Sequence, residues 1–255
     1  MKKLITGIAA LLIVAAALPV SANGTSVKNG TPKIDGKLDD IYKESASVEL
    51  ENFGFYVEGS TGIDKESTKG TTAYFLWDED YLYLCVAVVD DTATKTEEKD
   101  VDYTKWSTCD NLELYFWGAD GNEDNRGNIH IGCLGLGLRL EKAYENAKIQ
   151  VVGTATDNGY ITELAIPVTN FNLKPDAGFK FALQYNNYVP ADKAAVACGY
   201  QQVDGATDLT LSAEKVAEPE PEPANAAQTF DIGIAASALT LAASGAAFVS
   251  LKKRK

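Results

Sequence analysis

Apolar and polar residues alternate in short runs along the middle of the chain, from about residue 32 to residue 215. The runs are rich in Val, Ile, Tyr, Phe and Thr, and Gly, Asn and Asp separate them. A period of two residues is typical of strands that bury one face. Within Tyr81–Val89, the alternation places four apolar side chains on one face, namely Leu82, Leu84, Val86 and Val88.

A second run separates inward from outward side chains in the same way. In Asn111–Trp117 the inward positions are Leu112, Leu114 and Phe116, and the outward ones are Asn111, Glu113, Tyr115 and Trp117. Further predicted strands are Thr72–Trp77, Asn128–Leu134, Leu136–Leu140, Ala147–Val152, Tyr160–Ile166 and Phe179–Tyr188, with a turn at Asp78–Asp80. Many short strands joined by turns predict an all-β fold, a two-sheet antiparallel β-sandwich of the jelly-roll type.

Both ends of the chain carry long apolar segments. Residues 1–22 have a basic start, an apolar run and small residues at the exit, as a secretory signal peptide does; a retained membrane anchor is the alternative. Residues 232–255 predict a C-terminal transmembrane helix with a basic tail, and a helix lying on the membrane surface is the alternative. Alternating Glu and Pro make 218–231 an extended linker, which leaves 23–217 as the folded domain.

The C-terminal end resembles the sorting signal of Gram-positive surface proteins, in which a threonine-containing pentapeptide precedes an apolar run and a basic tail. Thr229 and the overall layout match, whereas Ala226, Ala227 and Phe230 replace the residues that the signal carries. We therefore expect an exported protein that stays at the cell surface, anchored in the cytoplasmic membrane rather than attached to the wall.

The charge balance narrows the possible ligands. The chain has 23 Lys and Arg against 36 Asp and Glu. The two apolar ends hold six of the basic residues and none of the acidic ones, so the remaining body carries about −19. Such a body repels nucleic acids, and also uronic-acid polymers unless a cation bridges them. With one Met and one His, a haem held by Met and His or a two-His zinc site is not expected. We also expect no nucleotide cofactor.

The four cysteines are Cys85, Cys109, Cys133 and Cys198, and no two of them form a C-x-x-C pair. This spacing excludes a zinc ribbon. In an exported chain they could form two disulfides in any of three pairings. Alternatively, Cys85 is a small buried side chain within its strand.

Five segments in order resemble carbohydrate-binding module family 9. They are Ile34–Asp40, Ala73–Leu84, Val88–Asp91, Trp106 with Asp110–Tyr115, and Gly159–Pro167. The resemblance covers roughly residues 32–190. It implies a saccharide-binding β-sandwich of the kind often appended to xylanases and other plant-wall enzymes, commonly with structural calcium. The chain has Tyr42 where the family usually has Trp, and only Trp106 aligns with one of the two Trp side chains that sandwich the sugar ring.

Sugar recognition needs a flat apolar surface together with hydrogen-bonding groups for paired hydroxyls. Trp106 supplies the surface, and the carboxylate of Glu113 can accept two hydroxyl hydrogens. The other predicted carbohydrate-binding residues are Asp110, Asn111, Gln184 and Asn186. In the competing interpretation Trp106 caps the sandwich edge, and the amides merely decorate a strand edge.

The candidates for metal binding and catalysis are fewer. Asp120, Asn122 and Asp124 recur at every second position, as in the start of a calcium loop, although an ordinary hairpin loop explains the same pattern. A glycosidase would need two facing carboxylates, for which Glu113 and Glu163 are the best pair. A serine triad would have to use His130, which we expect to have no catalytic role.

These observations predict a non-catalytic module that binds a plant-wall polysaccharide or oligosaccharide of the xylan or cellulose type. The first alternative is a structural or protein-interaction module that binds other surface proteins and has lost its sugar site. The second alternative is a glycoside hydrolase.

Overall fold

The computed structural model describes residues 25–51, 56–58, 67–90, 109–142, 144–168, 174–189, 194–199 and 203–217. The compact unit ends at Glu218. No helix in the described ranges is long and apolar enough to cross a membrane. The predicted signal peptide (1–22), linker (218–231) and membrane anchor (232–255) lie outside the described residues.

The described chain forms thirteen strands joined by turns and short 3-10 helices. The strands are β1 Ser26–Asn29, β2 Ser47–Glu49, β3 Tyr56–Glu58, β4 Thr72–Trp77, β5 Tyr81–Val89, β6 Asn111–Gly118, β7 Gly127–Gly132, β8 Leu138–Lys142, β9 Gln150–Thr156, β10 Gly159–Pro167, β11 Gly178–Val189, β12 Ala194–Gly199 and β13 Thr207–Lys215. The bounds predicted for β4 and β5 are confirmed. The strands predicted at Leu136–Leu140 and Ala147–Val152 begin two and three residues later, at Leu138 and Gln150.

The thirteen strands form one curled sheet, and ten of them follow the order β8-β7-β6-β11-β13-β1-β4-β5-β10-β9. Of the other three, β2 pairs with β4, β12 pairs with β11, and β3 pairs with β12. Strand β11 pairs with β13 along Gly178–Phe181 and with β12 along Gln184–Val189, and this change of partner lets the sheet fold over. Strands β6, β7 and β8 thus lie in one layer, and β4, β5, β9 and β10 in the other. The predicted all-β sandwich is confirmed, with one departure from an antiparallel sheet: β1 runs parallel to β4 and β13.

The core fills the space between the two layers. The four apolar side chains predicted to share a face of β5 are at most 3% exposed, and Leu112, Leu114 and Phe116 meet them from β6. The rings of Phe75 and Phe181 pack edge to face, with centroids 4.8 Å apart. Because strand side chains alternate, this core leaves the polar side chains of β6 on the opposite, outer surface of their layer.

A second cluster lies on the outer side of the other layer, beneath residues 30–44, which we call the strap. Tyr42 of the strap packs there with Tyr83 and Cys85, and Cys85 is a buried side chain in its strand. The carboxylate of Glu163 holds the strap in place, because it accepts hydrogen bonds from the Asp35 and Gly36 amides at 2.9 and 3.0 Å and from the Tyr42 hydroxyl at 3.0 Å.

Glu163 is fully buried, and this burial raises the pKa of its carboxyl, whereas the three donors act in the opposite direction. Gly36 adopts a φ of +77°, and a Cβ there would lie 2.5 Å from the Thr154 hydroxyl. The opening Ile34–Asp40 motif and the Gly159–Pro167 motif therefore meet in one structural contact.

Candidate functional site

The outer surface of β6, β7, β8 and β11 is polar, and we call it the polar face. Its side chains occupy the positions that alternate with core residues, since the neighbours Leu112, Leu114, Ile129 and Leu140 all pack inward. The members are Asn111, Glu113, Tyr115, Trp117, Asn128, His130, Arg139, Glu141, Gln184 and Asn186.

Strand register aligns four of these residues in one row. Glu113 lies opposite His130 on one side and opposite Gln184 on the other, and Arg139 lies opposite His130. With about 4.8 Å between neighbouring strands, the row spans about 14 Å. The row therefore offers one guanidinium, one imidazole, one carboxylate and one amide along a single line.

Hydrogen bonds connect the carboxylate end of the polar face. Glu113 Oε1 accepts from Asn186 Nδ2 at 2.9 Å, and its Oε2 accepts from the Tyr115 hydroxyl. Asn186 Nδ2 also donates to Asn111 Oδ1 at 2.7 Å, and Asn186 Oδ1 accepts from Gln184 Nε2 at 3.0 Å. Asn186 is the centre of this network, because it fixes the carboxylate and both neighbouring amides at once.

The guanidinium end is organised around the imidazole. His130 Nε2 lies 2.8 Å from Arg139 Nη2 and 2.8 Å from Asn128 Nδ2. Arg139 also forms an ion pair of 3.1 Å with Glu141. His130 is only 7% exposed, and its burial lowers the pKa of the imidazole.

Two acceptors of the polar face retain hydrogen-bonding capacity. Gln184 Oε1 and Asn128 Oδ1 are buried, and neither has a hydrogen-bond partner in the part of the chain that the structure describes. Leaving a buried acceptor unpaired costs on the order of 1–3 kcal/mol. Each of the two oxygens can therefore still accept a hydrogen bond.

Aromatic side chains close one end of the polar face. The rings of Tyr115 and Trp117 stack with centroids 6.1 Å apart, and Arg126 lies 5.4 Å from the centre of the Tyr115 ring. Trp117 Nε1 donates to Glu123 Oε1 at 2.8 Å. Both aromatic rings are almost fully buried, so they pack beside the polar residues.

Residues 34–208, which are more than half of the chain, match the family described as Carbohydrate family 9 binding domain-like. The chain belongs to this family. The match begins at the strap motif and extends into β13, so it includes the whole polar face.

Similar proteins agree with this membership. The chain is 28% identical over 166 residues to the exoglucanase XynX of Acetivibrio thermocellus and 29% identical over 178 residues to the endo-1,4-beta-xylanase A of Thermoanaerobacterium saccharolyticum. These matches cover 62% and 67% of this chain but only 13% and 14% of the two relatives. The relatives' names therefore describe much longer proteins.

A solved family 9 module shares the fold. This module, from Caldicellulosiruptor kristjanssonii in complex with cellotriose, has a TM-score of 0.54 at 17% identity, with 77% of this chain and 98% of that chain covered. A structure of a family 9 module from the same organism in complex with glucose has a TM-score of 0.53 at 15% identity.

Four of the six residues predicted to bind carbohydrate come together on the polar face of this family 9 domain, namely Asn111, Glu113, Gln184 and Asn186. Asp110 is fully buried, and its Oδ1 accepts from the Tyr188 amide at 2.7 Å. Trp106 lies outside the described residues.

The predicted calcium residues lie in an exposed turn after β6. Asp120 Oδ1 accepts from the Asn122 amide at 3.1 Å, and Asn122 Oδ1 accepts from the Asp124 amide at 2.9 Å. Two of the expected ligand oxygens thus close the turn itself. Within the described ranges, no three His, Cys, Asp or Glu side chains lie close enough together to hold a metal ion. Calcium at Asp120, Asn122 and Asp124 stays a prediction.

Glu113 and Glu163 do not face each other. Each points away from the common core, Glu113 from the β6 layer and Glu163 from the β10 layer, and Glu163 is engaged by the strap. This arrangement removes the carboxylate pair on which the glycosidase alternative depended.

Three members of the polar face were not predicted from the sequence. His130 was expected to have no catalytic role, and neither Asn128 nor Arg139 was singled out, yet all three meet at one nitrogen. The alternation that placed Glu113 outward also places Asn128 and His130 outward on β7, so this signal was available in the sequence.

Proposed function

We propose that the protein is a non-catalytic module that binds plant-wall polysaccharides or oligosaccharides of the cellulose or xylan type on its polar face. The observation that carries the proposal is the row from Arg139 to Gln184, which includes a buried acceptor left unpaired among the described residues. Family membership supports it, as do the names of the relatives and the cellotriose and glucose complexes of the structural neighbours.

The proposed contacts divide by chemistry. Arg139 donates to sugar oxygens, whereas Glu113, Gln184 Oε1 and Asn128 Oδ1 accept from sugar hydroxyls. Trp106 provides the apolar surface for the sugar ring, as the family resemblance implies. Asn111 and Asn186 act by holding the Glu113 carboxylate in place.

Titration calorimetry with cellotriose and xylotriose tests this proposal. Gln184→Leu should weaken binding of whichever sugar binds by up to about tenfold, because a hydrogen bond between neutral groups contributes about 0.5–1.5 kcal/mol. Gln150→Leu is the matched control, since Gln150 is an exposed residue on β9. If both variants and the parent bind the sugar with equal affinity, the sugar binds at another site. If neither sugar gives a binding signal with the parent, the proposed function is wrong.

Burial of the polar face favours a second candidate, the structural or protein-interaction module. Glu113 is 6% exposed, Gln184 is 5% exposed and Asn186 is fully buried. In this second candidate function, the hydrogen-bond network has one role, which is to hold the strands together. In that case the protein binds none of the sugars, and Gln184→Leu affects unfolding alone.

We also propose that the domain is exported and held at the cell surface through residues 232–255. The apolar segment and basic tail support this location. Deleting 232–255 should move the protein from the membrane fraction to the medium, and an unchanged distribution would contradict the proposal.

A further inference from the structure

His130 is the only histidine of the chain, and it lies in the middle of the polar face. Its Nε2 is 2.8 Å from Arg139 Nη2. A guanidinium can only donate hydrogen bonds, so Nε2 must accept this one. The imidazole is therefore neutral in this arrangement, and its proton is on Nδ1.

The charged groups that face His130 in the described structure come from both neighbouring strands. Glu113 Oε1 of β6 lies 3.6 Å from Nδ1, and Glu141 Oε1 of β8 lies 3.8 Å from Nε2. The third is Arg139, the partner of Nε2. Burial is the largest influence on the imidazole and lowers its pKa; Arg139 acts in the same direction, and the two glutamates oppose them.

We propose that His130 is a positioning residue for saccharide binding, because the lone pair on Nε2 holds the Arg139 guanidinium in the row that contains Glu113 and Gln184. This inference rests on the proposed function. Protonation converts Nε2 from an acceptor into a donor that points at another donor, and it places two cations side by side. Arg139 then leaves its position, and the sugar loses that contact.

The direction of the pH effect follows. The pKa of His130 is lowered from its ordinary value of 6.5, so the imidazole is neutral above pH 6.5 and becomes protonated only below it. Sugar affinity should thus be constant from pH 8 down to about 6.5 and fall in more acidic solution. Cellotriose does not titrate in this range, which makes it a suitable probe.

The test is calorimetry of the full chain with cellotriose at pH 7.5, 6.5, 5.5 and 5.0, for the parent and for His130→Gln. The side-chain oxygen of Gln can accept from Arg139 but has no proton to gain. The parent should lose affinity progressively as the pH falls from 6.5 to 5.0, whereas the affinity of His130→Gln should vary by less than twofold. A flat profile for the parent, or an equal loss in His130→Gln, would overturn the inference.

Nitrogen-15 NMR of the parent supplies a second measurement that needs no ligand. A single histidine gives unambiguous ring signals, provided that the protein carries no histidine tag. At pH 7.5 we expect a protonated Nδ1 and an unprotonated Nε2, and a proton on Nε2 would overturn the inference at once. If no sugar binds, the proposed function is wrong. The spectrum then still tests whether Nε2 of His130 accepts a hydrogen bond from Arg139.

Discussion

Replacing Tyr42 with Phe removes a single hydroxyl from the contact that fastens the strap. Tyr42 is fully buried, and its hydroxyl donates to Glu163 Oε1 at 3.0 Å. Hydrogen bonds to charged groups contribute about 1.5–3 kcal/mol, and Phe cannot replace the lost donor. We expect Tyr42→Phe to lower the free energy of unfolding by about 2 kcal/mol. For a domain of this size that is a fall in Tm of about 4–8 °C.

The loss should depend on pH in a definite direction. Burial raises the pKa of Glu163 above its ordinary 4.5, so the folded state favours the protonated carboxyl. The stabilising contribution of such a group is complete below pH 4.5 and is lost as the pH rises through the folded-state pKa. Tyr42 lowers this pKa by donating to the carboxylate, so its removal harms the ionised form most. The defect should therefore be largest at pH 7 and shrink towards pH 4.

Urea unfolding followed by tryptophan fluorescence measures both effects. Tyr81→Phe is the matched control, because Tyr81 is a partly exposed ring beside Tyr83. At pH 7, the free energy of unfolding of Tyr42→Phe should differ from that of the parent by more than about 0.5 kcal/mol, because ordinary surface substitutions cause changes of up to that size. A smaller difference would refute the role of the hydroxyl. A defect of equal size at pH 4 and pH 7 would refute the assignment to the ionised carboxylate.

Two further predictions concern strand β9 and the loop after β6. Gly153→Ala should lower the free energy of unfolding by about 3 kcal/mol, because the new Cβ would lie 2.0 Å from the carbonyl carbon and oxygen of Leu134. Gly178→Ala meets its nearest atom at 3.4 Å and should cost less than about 1 kcal/mol in the same urea assay; equal costs would contradict the clash. If calcium occupies the loop 120–124, EDTA should lower the Tm of the parent but not that of Asn122→Ala, and an unchanged parent Tm would rule calcium out.

The strand pattern of this chain could be predicted because its core strands have one buried and one outward face. In β6 the alternation separated Leu112 and Leu114 from Glu113 without any knowledge of the partner strands. The sandwich followed from the number and length of such strands. The parallel pairing of β1 could not be predicted, since four residues carry no signal of which strand they join.

The candidate site was predicted in part for the same reason. Alternation and side-chain chemistry identified Glu113 and Gln184, but they could not show that register places His130 and Arg139 in the same row. Register depends on contacts between strands that are distant in sequence. The sequence could not show that Asp110 holds a backbone amide, because this contact joins the start of β6 to β11, and Asp110 Oδ1 accepts from the Tyr188 amide.

The polar face lowers the stability of the folded state, and this cost in free energy favours a role in ligand binding. Ala182 lies on the same surface as Gln184 and is buried there, so the layer accommodates an apolar residue at that depth. Instead, Gln184 and Asn128 each leave a buried acceptor unpaired within the described structure. Each unpaired acceptor lowers the free energy of unfolding by about 1–3 kcal/mol. That cost is a large part of the 5–15 kcal/mol by which a domain is stable. A sugar present at a hundred times its dissociation constant stabilises the folded state by about 2.7 kcal/mol, which is of the same size as the cost of either acceptor.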